Sequence, residues 1–162
     1  MIVVDSNVIA YCWIEGSMTA CAQRVRVRDA QWHVPILWRS ELRSVLAKFL
    51  WSGAMDGKQA LAIMSTIEGA LDSSEHFVSS AAVLRLSLQS RLSAYDCEFV
   101  ALAQSLAVPL VTEDRTVLKA FPDVAVTMEA FLDRSVPSTP TAHEKRPRYK
   151  AAKSGARRRL AA

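Results

Sequence analysis

The 162-residue sequence contains no apolar run that approaches the roughly 18 residues a membrane-spanning helix requires. The first five residues carry no basic segment and reach an acidic side chain at once, so we expect no secretory signal. Cysteine is scarce, and no two cysteines form a C-x-x-C pair, which argues against a structural zinc site or a disulfide framework. The three are therefore predicted to be small buried hydrophobic side chains in a cytoplasmic protein without a membrane segment: Cys12, Cys21 and Cys97.

Histidine is equally scarce, and its positions give little support to a histidine-based metal site or catalytic triad. The three residues His33, His76 and His143 are dispersed along the chain. Cys97 follows Asp96 but has no evident histidine partner, which argues against a cysteine nucleophile. By contrast, 51% of the residues are hydrophobic and 22% are charged, proportions that suit one globular domain with a substantial core.

The formal net charge of +4 is unevenly distributed along the chain. Residues 137–162 hold eight lysines and arginines against one glutamate, a net charge of +7, while the remainder has twelve basic and fifteen acidic residues, a net charge of −3. The tail is also rich in proline, serine and alanine, a composition that cannot bury a core. We therefore predict a folded domain over 1–133 and a basic, disordered tail over 134–162.

Short apolar runs alternate with longer segments of helical period, which predicts an α/β fold of three layers around a parallel sheet. A glycine at position 53 is expected to stop the helix that precedes it. The predicted strands cover 2–4, 33–37, 76–79, 108–112 and 124–126. The predicted helices cover 17–29, 38–51, 58–71, 81–91, 95–107, 115–121 and 128–132.

Four carboxylates occupy positions where carboxylates are unusual. Asp5 ends the first predicted strand, and Asp114 lies two residues past the fourth, at the sheet edge where ligands bind in doubly wound folds. Glu41 and Asp96 share the helical phase of the apolar residues that follow them, so both are expected to point towards the core.

Each acid, taken singly, has an equally good structural explanation. Asp5 and Asp114 can cap the helices that follow them. The segment Ser93–Asp96 matches the S-x-x-[DE] capping box. Glu41 can lie near a helix N-terminus because the helix dipole favours a negative charge there.

Taken together, the four acids would repel one another if no cation lay between them. Arginine side chains at positions 39, 43 and 115 can neutralise one or two of them at most. A hard divalent cation, Mg²⁺ or Mn²⁺, is the simplest solution, and such a site is suited to phosphodiester hydrolysis. The polar residues Ser6, Asn7 and Thr112 flank the same strand ends, where they can support the carboxylates, contact phosphate or simply serve turns and caps.

Four segments of the sequence resemble PIN-domain ribonucleases, and in particular VapC-type toxins of type II toxin–antitoxin modules. They are VVDSNVIAYCW, RSELRSVL, RLSAYDCEFVALAQSLAVPLVTED and RTVLKAFP, which occur in family order over roughly residues 1–133. The resemblance implies a metal-dependent endoribonuclease that leaves a 3′-hydroxyl and a 5′-phosphate. It also implies that the basic tail lies outside the family domain.

Matched by motif, the catalytic and metal-binding quartet is Asp5, Glu41, Asp96 and Asp114. Asp5 and Asp96 would be the primary ligands of Mg²⁺ or Mn²⁺, with the other two completing the cage or orienting the attacking water. Ser6 replaces the threonine that is common after the first aspartate and keeps its hydroxyl. All four acids are present, which favours an active enzyme.

The resemblance also implies three partners: an RNA such as tRNA or rRNA, a second copy of the chain in a homodimer, and a VapB-type antitoxin lying across the active-site groove. Trp13, Trp38, Trp51 and Phe49 are candidates for the antitoxin contact, with core packing as their alternative. The basic tail either adds salt-dependent, nonspecific RNA affinity or only solubilises the chain.

Two other functional classes remain to be weighed. The first is a noncatalytic PIN-type RNA- or protein-binding regulatory module, against which the intact quartet argues. The second is a phosphoryl-transfer enzyme of the haloacid dehalogenase or receiver type. The dehalogenase type needs a D-x-D opening where this chain has Asp5-Ser6-Asn7, and the receiver type needs a paired acidic start and a strand-end lysine that are not apparent.

Overall fold

A computed structural model describes residues 1–134 of the chain. The predicted basic tail, except for Arg134, lies outside the described residues. Within them, five parallel strands form one sheet in the order β3-β2-β1-β4-β5. The strands are β1 (Ile2–Val4), β2 (Trp32–Pro35), β3 (Glu75–His76), β4 (Leu110–Val111) and β5 (Ala125–Val126).

Eight α-helices surround the sheet in the described part of the chain. They are α1 (Ser6–Trp13), α2 (Thr19–Arg28), α3 (Trp38–Ser52), α4 (Gly57–Leu71), α5 (Ser80–Ser90), α6 (Ala94–Leu106), α7 (Arg115–Ala120) and α8 (Met128–Asp133), with a short 3₁₀ helix at Asp72–Ser74. None of the helices of residues 1–134 combines the length and apolarity needed to cross a membrane. The predicted three-layer α/β arrangement is confirmed.

The central strands are buried because both faces of the sheet are covered. Helix α6 packs against β1, β2 and β4, and α5 packs against α6. On the other side, α1 contacts α2 and α3, while α2 contacts α8. All three residues of β1 are buried, which explains why the strand reads as an uninterrupted apolar run.

Local signals in the sequence explain several helix ends. Gly53 adopts a positive φ of 73° after α3, and its N–H donates to the carbonyl oxygens of Phe49 and Leu50, as expected of a helix stop. Asp56 caps α4 in a complete capping box with Gln59. These two signals fix the sharp connection between α3 and α4.

Candidate active site

The strand order reverses between β1 and β4, which places a crevice at the carboxyl ends of these two neighbouring strands. Val4 of β1 is in register with Val111 of β4. The next residue of each strand is polar: Asp5, whose N–H donates to the Val111 carbonyl at 3.0 Å, and Thr112, which is fully buried. The fold therefore sets both side chains at the position where doubly wound sheets bind ligands.

The Thr112 hydroxyl is the centre of a hydrogen-bond network around Asp5. It donates to Asp5 Oδ2 at 2.5 Å and accepts from the backbone N–H of Asp114 at 3.0 Å. The Asn7 amide donates to Asp5 Oδ2 at 2.9 Å and to Thr112 Oγ1 at 3.2 Å. Two residues, Thr112 and Asn7, thus hold one carboxylate oxygen of Asp5 in a fixed direction.

Burial raises the pKa of Asp5 above its ordinary range, and the negative charge of Asp114 adds to this effect. The hydrogen bond from Thr112 and the nearby N–H groups at the start of α1 offset part of it. The Asp5 side chain nevertheless completes no capping hydrogen bond to α1. Asp5 therefore occupies the N-cap position that the sequence allowed, but its carboxylate bonds Thr112 and Asn7 instead of capping the helix.

Glu41 lies in the first turn of α3, half-buried, and faces the start of α1. The hydroxyl of Ser6, which is buried, donates to Glu41 Oε2 at 2.6 Å. Burial raises the pKa of Glu41, the Ser6 hydrogen bond lowers it, and the charges of Asp5, Asp96 and Glu98 raise it further. Glu41 is therefore within electrostatic reach of two other acids of the predicted quartet.

Two neighbours in the first turn of α3 fix the helix that carries Glu41. The buried Trp38 donates from Nε1 to Glu75 Oε1 at 2.7 Å, and Arg39 donates from Nε to the same oxygen at 2.6 Å. Arg39 also forms an ion pair with Glu68 of α4. Because Trp38 is fully buried, core packing, the second alternative given for it, is the one that applies.

Asp96 lies in the first turn of α6, where Ser93 is the N-cap. The Ser93 hydroxyl accepts from the Asp96 N–H at 3.1 Å and donates to Asp96 Oδ2 at 2.7 Å. Half of the capping box noted in the sequence is therefore present, because the Asp96 carboxylate accepts from the Ser93 hydroxyl and not from the Ser93 backbone N–H. It holds the Asp96 side chain by one oxygen and leaves Oδ1 without a hydrogen-bond partner among the described residues.

Asp114 is the N-cap of α7. Its Oδ1 accepts from the Thr116 N–H at 2.7 Å, the Thr116 hydroxyl at 2.6 Å and the Val117 N–H at 3.3 Å. The hydroxyl of Thr116, followed by these amides, lowers the pKa of Asp114, whereas burial opposes the shift. The capping role that the sequence allowed for Asp114 is present, and its second oxygen is left available.

No basic side chain of residues 1–134 forms an ion pair with any acid of the quartet. Arg39, which the sequence offered as a neutralising partner, is engaged by Glu68 and Glu75 instead. The Nε of Arg43 donates to the Arg39 carbonyl. Asp5 thus feels the charge of Asp114, and Glu41 feels those of Asp5 and Asp96, without a basic side chain to offset them.

Comparison with known proteins identifies the family. A family model described as PIN domain matches residues 2–125. The chain belongs to the PIN domain family. PIN domains are generally nucleases, and the matched span contains all four acids of the quartet. No curated protein matches the chain.

Solved structures share the fold of this PIN domain. PAE2754 from Pyrobaculum aerophilum aligns with a TM-score of 0.65 and 20% identity, covering 81% of this chain and 92% of that one. FitAB bound to an IR36 DNA fragment aligns with a TM-score of 0.63 and 14% identity over 79% and 95% of the two chains. FitAcB from Neisseria gonorrhoeae aligns with a TM-score of 0.60 and 20% identity over 78% and 96%.

The donor set of this PIN domain fits a hard divalent cation held partly by water. All candidate ligands are carboxylate oxygens, which Mg²⁺ and Mn²⁺ prefer. Within residues 1–134, no three His, Cys, Asp or Glu side chains are grouped closely enough to hold a metal ion. Mg²⁺ commonly binds through one or two carboxylates and completes its shell with water and substrate phosphate, so the arrangement is compatible with that ion.

Two features of this PIN domain were not apparent from its sequence. Glu98, a fifth acid, adds its charge to the environment of Glu41, and burial raises the pKa of Glu98 itself. Its spacing of two residues from Asp96 puts it on another side of α6, so helical phase gave no signal. His33 and His76, which looked dispersed, lie on the paired strands β2 and β3 with Nδ1 and Nε2 2.8 Å apart.

Substitution of Asp114 separates its capping role from its charge. Asn caps helices about as well as Asp. At pH 7 the free energy of unfolding of Asp114→Asn should therefore lie within about 0.5 kcal/mol of the wild-type value, whereas that of Asp114→Ala should be lower by about 1 kcal/mol. Because the pKa of Asp114 is lowered, its charged form stabilises the fold above pH ~4 and this contribution disappears at lower pH. Urea denaturation at pH 7 and pH 3 measures both effects; equal stabilities of the two variants at pH 7 would contradict the cap.

Proposed function

We propose that this PIN domain is a metal-dependent endoribonuclease of the VapC toxin type, with Asp5, Glu41, Asp96 and Asp114 at its active site. The observation that carries the proposal is the coupling of Glu41 to Asp5 and Asp96 at the switch point of the sheet. No cation of residues 1–134 neutralises this group. Unneutralised carboxylates that lie close together destabilise the fold. Destabilising arrangements of this kind are typical of functional sites.

Each acid would act through the oxygen that the protein leaves unoccupied. Thr112 and Asn7 hold Asp5 by Oδ2, which leaves Oδ1 for the metal, and Ser93 does the same for Asp96. We assign these two aspartates as direct ligands of Mg²⁺ or Mn²⁺. When bound, the ion polarises the scissile phosphate and lowers the pKa of a water molecule.

Glu41 and Asp114 would orient the attacking water from the two sides of the crevice. Ser6 holds Glu41 by Oε2, so Oε1 is left to accept a proton from that water. A raised pKa brings a carboxylate closer to the range in which it accepts protons efficiently at neutral pH. The water oxygen would bond to phosphorus as the bond to the 3′-oxygen breaks. The 3′-oxygen would take a proton from solvent water to become a 3′-hydroxyl, and the phosphate would stay on the 5′-oxygen.

RNA is the substrate class that the VapC-type resemblance favours, with structured RNAs such as tRNA or rRNA as targets. The basic tail over 137–162, with a net charge of +7, would add contacts to phosphates. Three free cysteines are compatible with action in the cytoplasm, where these RNAs occur.

A VapB-type antitoxin would hold the enzyme inactive. FitAB, which shares the fold, is bound to an IR36 DNA fragment. Trp13 and Phe49 line one cavity of about 490 Å³ between α1, α3 and α4, together with Met55 and Ile63. We assign this cavity, rather than the buried Trp38, to the apolar residues of the antitoxin.

A homodimer would form through α5. Leu84 and Leu88 of α5 are 64% and 82% exposed, Phe77 just before the helix is 89% exposed, and Arg85 is the one charged residue of the helix. Exposed apolar groups on a helix with so little charge are typical of an interface. The opposite face of α5 packs against α6, which places the dimer contact away from the cavity assigned to the antitoxin.

Leu88→Lys is expected to convert the dimer to a monomer, because it places a charge in the middle of the apolar contact. Sedimentation equilibrium of the full chain gives the mass directly. Leu61→Lys is the matched control, since Leu61 is 74% exposed on α4 and lies outside the proposed contact. An unchanged mass for Leu88→Lys would contradict this assignment of the interface.

Incubation of the purified full chain with total cellular RNA tests the nuclease proposal. We expect discrete cuts with Mg²⁺ or Mn²⁺ that vanish with EDTA and in Asp96→Asn. Folded protein that is free of antitoxin and binds RNA without cutting it would instead favour a noncatalytic RNA-binding PIN module. Cuts that persist in both controls would show that the quartet is not responsible.

A further inference from the structure

A cavity of about 360 Å³ lies directly beside Glu41, between the start of α3 and the start of α6. Its lining consists of one aromatic ring, one aliphatic side chain, two hydroxyls and one carboxylate. These are Tyr95, Leu37, Ser40, Ser44 and Glu41. The volume is within the range of small-molecule sites, and the mixture of flat apolar and hydrogen-bonding groups is typical of them.

Tyr95 presents an open aromatic surface at this cavity. It is 62% exposed although it is a large aromatic residue, and its hydroxyl has no hydrogen-bond partner among the described residues. It directly precedes Asp96 in the first turn of α6, so the capped backbone of that turn fixes its position. Core packing therefore does not account for Tyr95.

The opposite wall supplies hydrogen-bonding groups from one face of α3. Ser40 and Ser44 are one turn apart and both are exposed. The Ser44 hydroxyl donates to the Ser40 carbonyl at 3.0 Å, which leaves its oxygen free to accept. The Ser40 hydroxyl has no partner within residues 1–134 and can donate as well as accept.

The lining contains no lysine or arginine, which disfavours a phosphate as occupant. A neutral, flat group with hydrogen-bonding edges suits it better. We propose that this cavity binds an unpaired nucleobase, stacked on the ring of Tyr95, from a nucleotide adjoining the phosphate that is cut. This inference rests on the proposed nuclease function, because a phosphate that is cut beside Glu41 brings its own nucleotide to the cavity that Glu41 lines.

The proposal makes Tyr95 a specificity-determining residue and the substrate single-stranded at the cut. A base inside a duplex is stacked on both sides and cannot reach the ring without being unpaired. Base–aromatic stacking depends on ring surface rather than on the phenol hydroxyl. Tyr95→Phe should therefore retain binding, and Tyr95→Ala should lose it.

The test uses the full chain and a single-stranded RNA oligonucleotide that spans a cut mapped with the wild-type protein. We expect Tyr95→Ala to raise KM about tenfold with kcat within about threefold, and Tyr95→Phe to match the wild type. Leu61→Ala is the control because Leu61 is 74% exposed on α4 and is not part of the cavity lining. An unchanged KM for Tyr95→Ala would overturn the proposal.

A second measurement removes the base instead of the ring. Two oligonucleotides are compared, one without the base on the 5′ side of the cut and one without the base on the 3′ side. With the wild type, one of them should show kcat/KM lowered about tenfold. In Tyr95→Ala, loss of that same base should not lower kcat/KM any further. Fully additive losses would overturn the proposal while the nuclease function stands. A wild-type protein that cuts no RNA would remove the proposed function and this inference together. Loss of antitoxin binding at an unchanged KM would assign Tyr95 to a protein contact instead.

Discussion

Replacing Asp5 by asparagine is expected to reduce RNA cleavage by about 10³-fold while making the metal-free protein more stable. The loss of activity follows because the substitution removes a direct metal ligand; 10³-fold corresponds to about 4 kcal/mol of transition-state stabilisation. The gain in stability follows because burial raises the pKa of Asp5, so its charge opposes folding. The new amide oxygen can still accept from Thr112 and Asn7, which now bond Asp5 Oδ2.

Thermal unfolding at pH 8 in EDTA, together with cleavage in Mg²⁺, measures both effects on one preparation. We expect the melting temperature of Asp5→Asn to exceed that of the wild type by about 2–4 °C, equivalent to about 1 kcal/mol for a domain of this size. Asp123→Asn is the matched control. Asp123 is exposed and precedes β5, so it lies at the amino ends of the strands, whereas Asp5 lies at their carboxyl ends. A stable variant that keeps full activity would exclude Asp5 from the reaction.

Mg²⁺ is expected to stabilise the protein strongly at pH 8 and weakly at pH 5. The pKa values of Asp5 and Glu41 are raised on folding, so their protonated forms favour the fold at low pH. This stability is complete below the ordinary values of about 4 and is lost as the pH rises through the raised values. A cation binds the deprotonated carboxylates, so it offsets the loss at high pH and competes with protons at low pH.

At a Mg²⁺ concentration a hundred times its Kd, the stabilisation is about 2.7 kcal/mol, or roughly 5–11 °C in melting temperature. Thermal unfolding of the full chain between pH 5 and pH 8, with and without Mg²⁺, measures how this shift in melting temperature depends on pH. Asp5→Asn should lose most of the shift at pH 8. An equal shift at both pH values, or the same shift in Asp5→Asn, would place the cation elsewhere.

The strand expected at 76–79 lies instead at Glu75–His76, two half-buried polar residues that form no apolar run. The sequence predicted β1, β4 and β5 because these strands are fully buried and form continuous apolar runs. It also predicted the end of α3, since Gly53 has a left-handed conformation that glycine favours. Helix α1 (Ser6–Trp13) was not predicted. Most of its residues are buried, so the polar face that reveals a helical period is missing.

The positions of the four acids followed from strand ends and helical phase, but their partners did not. Which oxygen Asp5 and Glu41 offer depends on long-range contacts, from Thr112 and Ser6 respectively, that local patterns do not encode. Parallel pairing of β2 with β3 likewise brings His33 to His76 from 43 residues away. The indole N–H of Trp38 likewise donates to the side chain of Glu75, 37 residues further along the chain, so the environment of Trp38 could not be read from its own segment.

The chemistry of the cut ends tests the central claim most directly. RNA is cleaved by the full chain with Mn²⁺ in water enriched in ¹⁸O, and the new ends are analysed by mass spectrometry. Hydrolysis by water at the carboxylate group predicts a 3′-hydroxyl and a 5′-phosphate that carries one ¹⁸O, and both disappear in Asp5→Asn. Ends that carry a 2′,3′-cyclic phosphate, or ¹⁸O-labelled cuts that persist in Asp5→Asn, would contradict it.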